Sequence, residues 1–93
     1  MKVIIIEEES HGGLGVAKDM KSAFEYLIYN RWITESTELF EPTEGEEHGW
    51  FPIERAMTDL RRSLLDTLMF LWNCDKSYFD GSFYFTEAEV YGT

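Results

Sequence analysis

Two hydrophobic rhythms alternate along the chain. Val3-Ile4-Ile5-Ile6 is β-branched throughout and gives way to Glu7-Glu8-Glu9. That predicts a strand over Lys2–Ser10, covered on both faces at its start and emerging into solvent at its end. His11-Gly12-Gly13 supplies turn chemistry, and Leu14 to Ala17 reads as the return strand of a hairpin. Met20, Ala23, Phe24, Leu27 and Ile28 then recur at helical spacing, predicting an amphipathic helix from Asp19 to about Trp32. Asp19 is placed to cap it, with Ser22-x-x-Glu25 as a second register, and Tyr26 and Tyr29 sit beside the apolar stripe. Pro42 and Gly45 interrupt any pattern further on, so Glu35 to Gly49 is expected to be an exposed loop with one turn near Leu39-Phe40.

After the apolar knot Trp50-Phe51-Pro52-Ile53, Pro52 suits the first turn of a helix. Met57, Leu60, Leu64, Leu68 and Leu71 form one stripe, and Leu65, Met69 and Trp72 a second beside it. This predicts a single central helix from Glu54 to about Trp72, with Arg62 and Asp66 spaced to pair on its surface. Asp80-Gly81 signals a tight turn before Ser82–Phe85, a strand with Phe83 and Phe85 on one face and Tyr84 on the other. Ala88 and Val90 then shift the phase, which a bulge near Thr86 would reconcile. The expected fold is one α+β domain over residues 1–93, two helices packed on one face of a small antiparallel sheet, in the order β-β-α-loop-α-β.

Composition supports a folded core, since 44% of residues are hydrophobic and 16% aromatic. The lone cysteine, Cys74, excludes an intramolecular disulfide and a cysteine zinc site. Following a helix rich in Leu and aromatics, it is expected to be buried or half-buried. Met1-Lys2 runs directly into the first strand without a secretory pattern, and the longest apolar run, Leu68 to Trp72, is far short of a membrane span. The expected compartment is the cytoplasm.

Charge changes the picture most. The formal net charge is −10, and residues 32–60 hold eight acids against one base. Six glutamates, Glu35, Glu38, Glu41, Glu44, Glu46 and Glu47, fall in one short stretch without a Lys or Arg among them. Such a surface repels nucleic acid and anionic membranes and attracts basic surfaces. Phe40, Trp50 and Phe51 lie in or beside the stretch, and aromatics next to charge mark a contact surface. These nine residues are the candidate partner-binding set. A row of carboxylates can occupy a groove lined for nucleic acid and exclude it, with the aromatics as anchors.

Catalytic motifs do not assemble. Gly12-Gly13-Leu14-Gly15 lacks the third glycine of a dinucleotide fingerprint and the Lys-Ser/Thr of a phosphate loop, and three glutamates precede it. His11-Gly12-Gly13 has no G-x-S-x-G elbow to serve. His48 beside Glu44, Glu46 and Glu47 lacks the alternating acids of a calcium loop. No catalytic residue, metal or cofactor is assigned, and a small metal-dependent or hydrolytic enzyme around His11 or His48 is kept as a second alternative.

The stretch from Val3 to Trp32, with its β-rich start, His-Gly-x-x-Gly-Val-Ala and a helix ending in Tyr-Leu-Ile and Trp-Ile, resembles small acidic accessory proteins of phages and prophages in Gram-positive bacteria. The closing Phe83-Tyr84-Phe85 with Glu87-x-Glu89-Val90-Tyr91 is similar to their last strand. Some such proteins are anti-CRISPR inhibitors, including acidic nucleic-acid mimics. The resemblance implies a partner-binding inhibitor and identifies no target. Taken with the acidic surface, the expected function is a non-enzymatic inhibitor of a basic, nucleic-acid-binding host protein of the CRISPR-effector type, in the host cytoplasm. The alternative is an assembly module, a homodimer or subunit joined through Tyr26, Tyr29 and Trp50-Phe51, with the charge serving solubility.

Overall fold

The computed structural model describes residues 1–42 and 49–90. β1 (Lys2–Glu8) is the middle strand of a three-stranded antiparallel sheet ordered β2-β1-β5, between β2 (Gly12–Ala17) and β5 (Phe83–Glu89). Ile4 and Ile6 point into the core at 7% and 0% exposure, while Val3 and Ile5 are only half-covered on the opposite, helix-free face. Alternation therefore outranks the continuous apolar run. The β1–β5 register runs unbroken from Lys2↔Glu89 to Glu8↔Phe83, so no bulge lies near Thr86. The irregularity is instead in the hairpin, where Ile6 faces Gly15 and Glu7 faces Gly13, leaving Leu14 as the extra residue.

α1 (Met20–Tyr29) buries Ala23, Phe24 and Leu27. Asp19 caps it by accepting the Ser22 N–H at 2.7 Å, so the Ser22 register is not the one used. Gly15 makes room for the helix: a Cβ there would lie 3.3 Å from Cζ of Tyr26, whose hydroxyl donates to the Leu14 carbonyl.

The helix ends earlier than its apolar pattern, because Arg31 turns left-handed at φ 61°. Arg31 N–H then reaches the Ile28 carbonyl and Trp32 N–H the Leu27 carbonyl, the paired bonds of a Schellman end. The same device divides the second helical region. α2 (Ile53–Leu60) stops where Arg61 adopts φ 55°, Arg61 and Arg62 donate back to Thr58 and Met57, and Ser63 caps α3 (Leu64–Cys74) through the Asp66 N–H. Neither stop is a glycine, and each left-handed Arg costs about 1 kcal/mol relative to an ordinary conformation. The expected single helix is therefore two. Arg62 stacks over Phe70 at 4.7 Å and makes no ion pair with Asp66.

Beyond α3, a single 3-10 turn at Lys76–Phe79 folds back and buries Phe79 at 1% exposure, while Cys74, expected to be buried or half-buried, stays outside the core and is exposed. Phe24, Trp72, Phe79 and Phe85 form one aromatic cluster, with centroids 5.2–6.4 Å apart and mostly edge-on, between α1, α3 and the inner face of the sheet. The architecture is α+β, with helices covering one face of the three-stranded sheet. Among the described residues no helix is long and apolar enough to cross a membrane.

Candidate functional site

The stretch expected to be a loop is ordered at both its ends. β3 (Glu38–Phe40) and β4 (Trp50–Pro52) pair antiparallel as Glu38↔Pro52, Leu39↔Phe51 and Phe40↔Trp50. The ladder is prolonged by Glu41 N–H to the Gly49 carbonyl, Ile53 N–H to Thr37 and Glu54 N–H to Glu35, all at 2.9 Å. Leu39 and Phe51 alternate inward, at 0% and 4% exposure, and lock the unit to the core. Phe51 is therefore a structural residue and is removed from the set of contact anchors. Its ring meets Tyr78 edge-on and carries Arg55 at 5.1 Å.

Glu38, Phe40, Trp50 and Pro52 share the outward face by the same alternation. Phe40 and Trp50 meet edge-on at 5.7 Å, and Trp50 is 51% exposed. Glu35 and Glu38 are exposed and, among the described residues, have no Lys, Arg or His within ion-pair distance. Glu41 reaches Arg55 at 3.5 Å, with both side chains near half exposure, so that pair is weak. Glu41 also faces Tyr78, whose phenol is held above its ordinary pKa, first by burial and then by nearby negative charge. Glu44, Glu46, Glu47 and His48 lie outside the described residues.

The rest of the molecule contributes acids to this end selectively. The indole of Trp50 lies against Gly81, where a Cβ would be 3.6 Å from Cη2. The neighbouring Ser82 accepts the Glu9 N–H, which brings the end of β1 and Asp80 beside the aromatic pair. Glu9 also accepts the Tyr84 hydroxyl, a bond that raises the phenol's pKa. Glu8 accepts from His11 Nδ1 at 2.7 Å and is held below the usual carboxylate range by that bond; the His11 ring meets Trp32 edge-on at 4.8 Å. Glu87 and Glu89 lie at the other end of the sheet, opposite Ile4 and Lys2, and Glu89 binds the N-terminal amine at 3.0 Å. The acidic residues thus divide: Glu7–Glu9 lie toward the β3–β4 unit and Glu87 and Glu89 away from it.

Tyr26 and Tyr29 line a separate shallow groove on α1 with Ile28 and Leu65, remote in sequence and contact from Trp50. Among the described residues no cluster of three or more His, Cys, Asp or Glu could hold a metal. The sequence pattern missed Arg55, which joins Glu41 to Phe51, and Asp80, which only the turn beside Trp50 brings to this end. Comparison with protein-family models, with curated proteins and with solved structures returns no match.

Proposed function

We propose that this protein acts by binding another protein, docking its acidic end on a basic nucleic-acid-binding groove and keeping nucleic acid out. The observation that carries the reading is the outward face of the β3–β4 unit. There an ordered aromatic pair, Phe40 and Trp50, stands partly exposed beside Glu35 and Glu38, which have no basic partner among the described residues, and Glu41, which holds only a weak pair with Arg55. Unpaired surface carboxylates steer the encounter with a basic groove, and a rigid aromatic pair supplies the apolar contact that screened charges lack. The backbone ladder matters because a fixed platform loses little conformational entropy on docking. The resemblance to phage accessory proteins supports an inhibitory role against a host nucleic-acid-binding protein, of which CRISPR effectors are one class.

The test is capture from a host lysate at low and high salt, with duplex DNA or RNA as competitor. A nucleic-acid-binding protein retained at low salt, released by salt and displaced by competitor is the expected result. The W50A variant, folded by circular dichroism, is expected to lose retention. Failure to retain any nucleic-acid-binding protein at low salt overturns the proposal.

A further inference from the structure

The outer edge of β5 is the least protected backbone in the sheet. Glu9 N–H donates to the Ser82 carbonyl and Val90 N–H to the Met1 carbonyl. By the alternation of an antiparallel ladder, Ser82, Tyr84, Thr86, Ala88 and Val90 direct their backbone groups at β1. Phe83, Phe85, Glu87 and Glu89 direct theirs at the open edge, where no backbone hydrogen bond meets them among the described residues. Natural edges are blunted by charged side chains, Lys above all, by Pro, a bulge or short length, and of these β5 carries only the charges of Glu87 and Glu89. β5 has seven residues, contains neither Pro nor Lys, and keeps an unbroken register with β1. The opposite edge, β2, is bulged and has the Leu14 carbonyl capped by Tyr26.

We infer that β5 is a self-pairing edge, and that two copies of this chain join antiparallel about a two-fold axis at Thr86 to make one six-stranded sheet. The register follows from the edge itself. Only odd-numbered residues face outward, so the possible alignments differ by whole two-residue steps. Centring on Thr86 sets Phe85 opposite Glu87 of the second copy and Phe83 opposite its Glu89, using all four outward residues of both strands. One step one way puts Glu87 against Glu87. One step the other way leaves Glu89 opposite Gly81, beyond the strand.

Charge favours the same alignment. A groove lined by Trp72, Lys76, Phe79, Asp80, Phe83 and Phe85 runs along this edge, with the Lys76 ammonium 4.9 Å from the Trp72 ring as its one basic group and Asp80 as its one acid. Odd-numbered side chains of β5 lie on that helix-bearing side, as buried Phe83 does. Glu87 of the second copy therefore arrives over Lys76. Among the described residues of its own chain Glu87 has no ion pair.

Sedimentation over a concentration series tests the interface, and its salt dependence separates it from the proposed docking. Two copies of charge −10 repel, so dimerisation strengthens as salt screens them, whereas docking on a basic groove weakens. Glu87→Pro removes an outward N–H without touching the β1 ladder and is expected to abolish dimerisation with the circular dichroism unchanged. Lys76→Glu is expected to weaken it roughly 2- to 30-fold, counting both symmetric pairs, and adding Glu87→Lys to restore it.

A second test holds even if the proline variant misfolds. Thr86 of two copies would sit about 4.5 Å apart at Cα as a non-hydrogen-bonded pair, within disulfide reach. On a Cys74→Ser background, Thr86→Cys is expected to cross-link on oxidation. Ala88→Cys is not, because the two positions lie about 13 Å apart. A monomer at every concentration overturns the inference. So does cross-linking at 88 without 86, or protection of β5 amides only when an extended peptide is added.

Discussion

β5 pairs with β1 over seven residues without a break, whereas β3 and β4 meet over three residues each. The longer pairing rests on Ile4, Ile6, Phe83 and the aromatic cluster around Phe24, so its inner face is committed to the core except at its Lys2–Glu89 end, where Glu87 and Glu89 are exposed. The shorter one has two inward residues, Leu39 and Phe51, and leaves its whole outer face to Glu38, Phe40, Trp50 and Pro52. One region supplies stability and the other borrows it. A surface element anchored by two buried side chains can carry exposed aromatics and uncompensated charge that a self-sufficient element would have to bury or pair.

That contrast breaks most visibly at Phe24, which is fully buried and packs on Trp72, Phe79 and Phe85. Phe24→Ala is expected to cost about 3–5 kcal/mol in urea unfolding, a large share of a small domain's total. Leu39→Ala should cost roughly 2–5 kcal/mol, toward the lower end if the short unit collapses onto the void. It should also loosen the β3–β4 amides in hydrogen exchange before those of β1. Equal exchange of both regions in L39A would show that they unfold as one body.

Smaller effects sharpen the account of the core. Thr67 is fully buried in α3 and its hydroxyl has no hydrogen-bond partner among the described residues. Thr67→Val keeps the shape and removes the unpaired group, so a gain of about 1 kcal/mol is expected in thermal or urea unfolding. The smallest effect is a pH dependence. Asp19 is held below its ordinary pKa by the Ser22 N–H it accepts. The unfolded chain therefore binds this proton more readily, and the contribution is present above the ordinary carboxylate pKa and lost as the pH falls through the lower, folded value. Asp19→Asn keeps a capping side chain without the titration. Its unfolding midpoint should fall less steeply than that of the native chain on acidification.

Legibility in the sequence followed length and local signal. β1, the hairpin, α1 and β5 were readable because β-branched runs, glycine turns and helical spacing each extend over several residues. The α2–α3 break was hidden because Arg61, a residue with no helix-breaking signature, takes the left-handed turn, and the apolar stripe continues across it. β3 and β4 were hidden because three residues are too few for alternation to declare itself, and their partners lie on opposite sides of the acidic stretch. Of the candidate site, the glutamates were visible as composition and Trp50 as an aromatic neighbour. The inward direction of Phe51 and the approach of Glu9 and Asp80 depend on tertiary packing that no local pattern encodes.

The central claim is that location, and not total charge, makes the acidic surface functional. The most direct test compares two triple variants that remove the same charge: Glu35→Gln, Glu38→Gln and Glu41→Gln at the β3–β4 end, and Glu25→Gln, Glu87→Gln and Glu89→Gln elsewhere. Retention of the captured nucleic-acid-binding protein is measured for both across a salt series. Loss of retention in the first variant, with the second close to the native chain, is the predicted result. Equal loss in both would contradict the claim and reduce the surface to a diffuse effect of net charge.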